Sequence, residues 1–191
     1  MTAASRTGEG DGYRARPRGG PIVRTDVVDV YVFRDRGAGP VEFLQLRRAT
    51  EPLRATWHPI MGHVEPDERA PATALRELKE EVGLARDDAA LLGFWALEQT
   101  HPYYVPAVES IVLGPRFAVR VSPEWTPRLD REHDASRWVA LPRDAAAAER
   151  DAALPSFLWP GQRRAVLEII SELVPAASLS REALRLDPRG I

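Results

Sequence analysis

Short runs of β-branched and aromatic residues alternate with glycine- and proline-rich turns along most of the chain, a pattern typical of a domain rich in β-strands. Residues 27–33 (VVDVYVF) and 41–46 (VEFLQL) predict the two strands of a hairpin that turns at residues 36–40. Residues 49–61 predict a loop with a short extended piece, and residues 62–69 predict a polar turn. The apolar runs that predict further strands lie at residues 91–99, 109–113, 116–121 and 136–140.

The clearest helix is predicted between Pro71 and Gly83. Proline suits a first helical turn, where its missing N–H would have no partner, and glycine suits the position after the last turn. Leu75, Leu78 and Val82 recur at helical spacing. This spacing predicts one apolar stripe for the core and leaves the other faces of the helix to charged residues.

The alanine-rich residues 142–153 and the amphipathic residues 162–173 predict two more helices. We find no stretch with the length and composition of an interdomain linker. We therefore expect one domain over residues 22–175, preceded by a flexible tail at residues 1–21 that is poor in large apolar side chains. A C-terminal extension at residues 176–191 is expected to form a short helix or to fray.

Composition and charge narrow the classes of protein. The 191 residues are 44% hydrophobic and carry a formal net charge of −2, so a globular core is expected and a general nucleic-acid or membrane-surface binder is not. The absence of cysteine excludes disulfides, thiolate nucleophiles and cysteine-based zinc sites. Because we find neither an apolar run of roughly 18 residues nor the apolar core of a secretory signal, we expect a cytoplasmic protein.

Three glutamates of the predicted helix share one face. Glu77, Glu80 and Glu81 stand at positions i, i+3 and i+4, within about one helical turn. Like charges repel, so this cluster is stable either as a solvated face or when a divalent cation neutralises it, and hard cations such as Mg²⁺ prefer carboxylate oxygens. The three residues alone leave both interpretations open.

A longer pattern surrounds these glutamates. It consists of Gly, five residues, Glu, seven residues, Arg-Glu, an aliphatic residue, any residue, Glu-Glu, any residue, Gly and an aliphatic residue. A chance match in a chain of this length has a probability on the order of one in ten million at average residue frequencies. The pattern resembles the signature of the Nudix hydrolases at every defined position. Those positions are Gly62, Glu68, Arg76, Glu77, Leu78, Glu80, Glu81, Gly83 and Leu84.

The resemblance implies a fold and an activity. The fold is α/β, with a mixed β-sheet sandwiched between α-helices. The activity is metal-dependent attack of water on a phosphoanhydride bond of a nucleoside-diphosphate-linked substrate, in which Mg²⁺, or Mn²⁺ in its place, offsets the negative charge of the diphosphate. The partner would be a small nucleotide-type molecule rather than a membrane, and a homodimer is compatible with the family.

The resemblance also implies roles for individual residues. The three glutamates of the helix, Glu77, Glu80 and Glu81, would hold the metal and carry the catalysis. The backbone carbonyl of Met61, just before the first glycine of the pattern, would be a further ligand. Glu68 and Arg76 would form an ion pair between loop and helix that orients the ligands.

A second segment, Glu132-His133 followed by Trp138, resembles one found in Nudix enzymes that hydrolyse dihydroneopterin triphosphate, nucleoside triphosphates or dinucleoside polyphosphates. Glu132 is therefore a candidate for a further metal ligand or general base, with a surface loop acid as the equal alternative. His133 is expected to be a loop histidine bonded to backbone, with a proton carrier as the alternative. Residues 159–163 (WPGQR) resemble the segment that leads into the C-terminal helix of that subgroup.

The substrate contacts are less defined. A base or pterin ring would stack on an aromatic side chain, for which Trp57 and Tyr103, with its neighbour Tyr104, are candidates; core packing is the alternative for each. Arg47 and Arg48 end a predicted strand and suit phosphate groups, with a solvated strand end as the alternative.

The residues also allow two rival functions. A Nudix-fold sensor or adaptor would bind nucleotide without hydrolysis, but such proteins usually lack acids of the signature, and none is missing here. An RNA 5′-end pyrophosphohydrolase would need a basic surface beside the cleft, which the net charge of −2 argues against unless arginines cluster in space.

Overall fold

The computed structural model describes residues 20–51, 53–98 and 100–191, so the predicted flexible tail lies outside the described residues up to residue 19. The strands are β1 (Ile22–Arg24), β2 (Val27–Asp35), β3 (Val41–Arg48), β4 (Trp57–His58), β5 (Ile60–His63), β6 (Leu91–Ala96), β7 (Tyr103–Val105), β8 (Ser110–Val112), β9 (Arg116–Val121), β10 (His133–Leu141) and β11 (Arg185–Leu186). The α-helices are α1 (Ala70–Val82), α2 (Ala145–Glu149), α3 (Pro160–Glu168) and α4 (Leu179–Ala183).

The main sheet has the strand order β10-β3-β2-β9-β6-β11, with β4 paired to β3 and β5 paired to β2. Strands β2 and β9 run parallel, whereas β3 pairs with both β2 and β10 in antiparallel fashion, so the sheet is mixed as expected. A smaller sheet of three strands has the order β1-β8-β7. The long strand β2 therefore lies inside the main sheet and positions β5, which leads into helix α1.

Helices cover both faces of the main sheet, which confirms the expected sandwich. Because successive side chains of a strand point to opposite faces, Val30 of β2 packs in the core beneath α1, whereas Tyr31 packs in the core beneath α3. Burial on both faces explains why β2 is a continuous apolar run rather than an alternating one. The cores also include Leu75, Leu78 and Val82 from α1 and Val166, Ile169 and Ile170 from the C-terminal helical region.

Helix α1 begins and ends where the sequence predicts. Its first turn contains Pro71, and Gly83 follows the last turn with a left-handed φ of 74°. In this conformation the N–H groups of Gly83 and Leu84 donate to the carbonyls of Lys79 and Leu78, which satisfies groups that the helix end leaves unpaired. Both ends of the glutamate-bearing helix are therefore specified locally.

Several predicted elements have different bounds in the structure, and strands β1 and β7 were not predicted. Strand β10 begins at His133 rather than at residue 136, because His133 pairs with Arg48 of β3. A bulge between His133 and Ala135 separates this pair from the rest of the β10–β3 pairing. The helix predicted over residues 142–153 is shortened to Ala145–Glu149, with Asp144 as its cap. The helix predicted over residues 162–173 begins at Pro160 and becomes a π-helix at Ile169–Leu173.

The C-terminal extension contains the expected short helix, α4, followed by the unexpected strand β11. This strand pairs antiparallel with β6, and the Trp95 indole N–H donates to the carbonyl of Arg181 at 2.8 Å. Leu186 and Ile191 pack against the core beneath α1. The extension thus covers one edge of the main sheet.

Among the described residues, no helix is long and apolar enough to cross a membrane.

Candidate active site

Three parts of the chain meet at an open cleft of about 380 Å³ beside α1. Strand β5 contributes Met61, helix α1 contributes three glutamates, and the loop before β10 contributes Glu132. The cleft therefore brings together five residues that the sequence nominates for catalysis or metal binding. These are Met61, Glu77, Glu80, Glu81 and Glu132.

Gly62 has a steric reason to be glycine. A Cβ atom built on Gly62 would lie 2.1 Å from Oε1 of Glu77, far inside van der Waals contact. Without that atom the Glu77 carboxylate lies directly against the backbone of β5. Gly62 thus sets how closely the helix approaches the strand that carries Met61.

Arg76 connects the loop before α1 to the acidic face of the helix. Its Nε and Nη2 donate to the two carboxylate oxygens of Glu68, each at 3.1 Å, and Nη2 also donates to the carbonyl of His63 at 2.9 Å. Its Nη1 donates to Glu77 at 2.7 Å and to Glu80 at 3.3 Å. Hydrogen bonds from Arg76, with a smaller contribution from Thr73, hold the pKa of Glu68 below its ordinary value. The structure therefore contains the contact between loop and helix that the sequence suggests, and this contact extends to two of the proposed ligands.

Glu81 is the most strongly perturbed acid of the cleft. Its side chain is only 9% exposed, and its Oε2 has no hydrogen-bond partner within the described part of the chain. Burial raises the pKa of Glu81 to about 9, and the charges of Glu77, Asp130 and Glu132 add to this increase, against a backbone hydrogen bond from Met61 that lowers it. Burial also raises the pKa of Glu77. Protein groups alone thus leave the charge of the Glu81 carboxylate uncompensated.

The donor set fits a hard divalent cation. Carboxylates with a buried, unpartnered oxygen are the groups that such a cation neutralises, and Glu77, Glu80, Glu81 and the Met61 carbonyl would hold it. Among the residues described, no three acidic or histidine side chains already converge as a metal cluster. The reason is that Glu77 and Glu80 each pair with Arg76. A bound cation would compete with this guanidinium for them.

Glu132 lies at the rim of the cleft, which Asp130, a residue that the sequence did not nominate, also lines. Its side chain is 48% exposed and its carboxylate lies 3.7 Å from Arg48. Asp130 lines the same cleft and bonds to Nδ1 of His133 at 3.0 Å. The only sequence signal for Asp130 is that it is an acidic residue two positions before Glu132.

His133 differs from its expected state. It is buried at the start of β10 rather than in a loop, and it bonds to the Asp130 carboxylate rather than to backbone, so the predicted environment was wrong. Its Nε2 lies 3.9 Å from Oε2 of Glu81. The ring of His58, another cleft residue that the sequence did not nominate, lies 5.2 Å from that of His133, and burial lowers the pKa of His58 to about 4.

Of the residues nominated for substrate binding, Arg48 lines this cleft, whereas Trp57, Arg47 and Tyr103 do not. Trp57 and Arg47 face each other across β4 and β3, on the opposite face of the strands from the cleft residue His58. Arg47 pairs with Asp134 at 2.6 Å. Tyr103 lies in the small sheet, 41% exposed, where burial and the charge of Asp29 raise its pKa.

The comparisons with known proteins agree with this geometry. The family model of the NUDIX domain matches residues 23–157, and the chain therefore belongs to the Nudix family.

The relatives that match in sequence include the following two. The bis(5′-nucleosyl)-tetraphosphatase [asymmetrical] of Sus scrofa is 35% identical over 94 residues, which are 44% of this chain and 56% of that protein. An octanoyltransferase of Myxococcus xanthus is 33% identical over 109 residues, which are 56% of this chain and 29% of that protein. The chain thus spans little more than half of the first relative and less than a third of the second.

A solved structure supports the fold. The dihydroneopterin triphosphate pyrophosphohydrolase of E. coli superposes with a TM-score of 0.59 at 23% identity, covering 78% of this chain and 94% of that one. At this identity the likeness concerns the arrangement of strands and helices.

Proposed function

We propose that this chain is a Mg²⁺-dependent pyrophosphohydrolase that cleaves a phosphoanhydride bond of a nucleoside-diphosphate-linked substrate, with Mn²⁺ as an alternative metal. The observation that carries the proposal is the buried Glu81 oxygen without a partner in the described residues, inside a cleft that Glu77, Glu80 and Glu132 also line. An acidic cleft of this kind would repel a polyphosphate unless cations were bound.

The substrate class we propose is a nucleoside or pterin triphosphate or a dinucleoside polyphosphate. Two observations support this class. The Sus scrofa relative is a bis(5′-nucleosyl)-tetraphosphatase, and the Glu132–Trp138 segment resembles that of enzymes acting on these compounds. We further propose a catalytic domain over residues 22–175, with residues 176–191 as an extension, and a cytoplasmic location.

In the proposed reaction, water attacks a phosphorus atom, a new P–O bond forms, and the bond to the leaving phosphate breaks. A bound divalent cation would neutralise the diphosphate and increase the acidity of the water. Glu77, Glu80, Glu81 and the Met61 carbonyl would hold the metal, and Arg76, itself bonded to Glu68, would orient two of these carboxylates. Glu132, exposed at the rim, accepts the proton of the attacking water at its carboxylate.

The test measures phosphate and pyrophosphate release from dNTPs, dihydroneopterin triphosphate, dinucleoside polyphosphates, ADP-ribose and RNA 5′ ends, with Mg²⁺, with Mn²⁺ and with chelator. Replacing Glu81 by Gln should lower turnover by two or more orders of magnitude. The same variant should unfold at an equal or higher temperature without metal, because glutamine resembles the neutral acid. Its stabilisation by Mg²⁺ should be lost.

Glu124→Gln provides the matched control, since Glu124 is 85% exposed and lies outside the cleft. It should behave as the unmodified protein in every assay. Near-normal turnover of Glu81→Gln, or turnover that chelator does not reduce, would contradict the proposal. Nucleotide binding without turnover of any compound would instead identify a sensor.

A further inference from the structure

Four side chains form a cluster on the face of the main sheet that carries α3. The Arg137 guanidinium carbon lies 4.2 Å from the centroid of the Trp57 ring. Nε and Nη2 of Arg137 donate to Oε1 of Gln45 at 2.9 and 2.7 Å, and Gln45, which is fully buried, donates to the carbonyl of Ser156 at 3.1 Å. Arg47 completes the cluster, with its guanidinium 5.8 Å from the same ring. Arg137 is thus held in place by neutral groups.

The charge of Arg137 is not balanced. Arg47 pairs with Asp134 at 2.6 Å, and Arg48 lies 3.7 Å from Glu132. Within the part of the chain that the structure describes, no carboxylate lies within 4.0 Å of Arg137, although its side chain is partly buried. Burial alone lowers the pKa of Arg137. A partly buried, fixed cation without a counter-ion is unfavourable by itself and favourable for an incoming anion.

The cluster and the acidic cleft lie on opposite faces of strands β3 and β4. Trp57 and His58 are adjacent in β4, and Arg47 and Arg48 are adjacent in β3, so their side chains point to opposite faces. His58 and Arg48 line the cleft, whereas Trp57 and Arg47 belong to the cluster. A ligand that contacts both the cleft and the cluster would therefore pass around the end of these two strands.

We propose that Arg137, positioned by Gln45 and Trp57, binds a phosphate group of the substrate other than the one attacked in the acidic cleft. The inference rests on the proposed function and names a specificity-determining residue for it. A phosphate is a better fit than an aromatic ring, because two guanidinium groups already lie over Trp57. The remaining donors of Arg137 suit phosphate oxygens.

The first measurement is calorimetric binding of inorganic tripolyphosphate in Mg²⁺ buffer, which does not depend on turnover. Arg137→Gln should weaken binding about tenfold, and Arg137→Lys, which keeps the charge but not the planar fork, should weaken it less. Gln45→Glu supplies Arg137 with a carboxylate and should weaken binding while Arg137 itself is intact. Arg36→Gln is the matched control, because Arg36 lies outside both the cluster and the cleft.

Steady-state kinetics then separates phosphate from base recognition. Arg137→Gln should raise KM about tenfold with kcat within about twofold, by the same factor for nucleotides with different bases. A factor that depends on the base would overturn the phosphate assignment. Unchanged tripolyphosphate affinity in both Arg137→Gln and Gln45→Glu would also overturn it, even if the protein hydrolyses nucleotides. If Arg137→Gln weakens tripolyphosphate binding but the protein has no hydrolase activity, the role of Arg137 in phosphate binding is upheld. Only the proposed function is then contradicted.

Discussion

The two faces of the sheet at the β3–β4 end carry opposite charges, and on each face one charged group lacks a counter-charge. On the α1 face, Glu81 has an unpartnered buried oxygen while the guanidinium of Arg76 binds its neighbours Glu77 and Glu80. On the α3 face, Arg137 has neutral partners, and Asp134 pairs with Arg47. Each face thus lacks the counter-charge that a metal–polyphosphate complex would bring, a cation on one side and an anion on the other.

The geometry of the cleft, unlike that of the Arg137 cluster, depends on the close approach of α1 to β5. A substitution at Gly62 should have the largest effect on this approach. In Gly62→Ala the new Cβ would meet Glu77 at 2.1 Å, so the carboxylate or the helix must move. We expect turnover to fall about 100-fold, since displaced metal ligands cost this much, and the free energy of unfolding to fall by about 1–3 kcal/mol. Steady-state kinetics and denaturant unfolding measure the two effects.

Gly190→Ala is the control for this variant, because a Cβ there meets no atom closer than 3.6 Å. It should change neither quantity. If Gly62→Ala were fully active, close approach of Glu77 to β5 would not be required for the site. In the Gly62→Ala background, Arg137→Gln should still weaken tripolyphosphate binding about tenfold, which distinguishes the two faces.

Glu68 tests whether Arg76 must be kept from the metal ligands. In Glu68→Gln the guanidinium loses a charged partner that accepts two hydrogen bonds and should pair more strongly with Glu77 and Glu80. We expect the Mg²⁺ concentration for half-maximal activity to rise about tenfold, a size typical of changes to groups that support metal ligands. A Mg²⁺ titration of turnover measures it.

Glu42→Gln is matched to this variant, since Glu42 accepts two hydrogen bonds from Arg34 at the other end of β3. It should leave the Mg²⁺ requirement unchanged. An unchanged requirement in Glu68→Gln as well would contradict the orienting role.

At His58 the expected effect is on stability and its pH dependence rather than on activity. The unfolded chain binds a proton to this residue near pH 6.5, whereas the folded pKa is about 4, so between these values the unfolded state holds more protons. Stability contributed by neutral His58 is therefore present above pH 6.5 and lost as the pH falls toward 4, by at most about 1.4 kcal/mol per pH unit.

His58→Gln should flatten that part of the pH dependence, which urea unfolding at pH 4.5, 5.5 and 6.5 measures. His63→Gln, at an exposed position of β5, is the control. An equal slope in His58→Gln and the unmodified protein would show that His58 titrates normally in the folded state.

The features that were predicted best from the sequence are those determined by residues close together in the chain. The ends of α1 depend on Pro71 and Gly83, and its acidic face depends on helical spacing, so both follow from local rules. Strand β11 has two residues and no pattern of its own; it exists because Leu186 packs beside β6. The early start of β10 at His133 likewise depends on pairing with Arg48, which lies 85 positions away in the chain.

The candidate site divides along the same line. The sequence by itself nominated the glutamates of α1, Met61 and the pair Glu68–Arg76, because the signature places them on one helix, in the loop before it and just before its first glycine. Only the tertiary structure decided that Asp130 and His58 line the cleft, that Arg47 is balanced by Asp134, and that Arg137 is not balanced. Burial and counter-charges depend on strands distant in sequence, and one-dimensional spacing carries no information about which of them become neighbours.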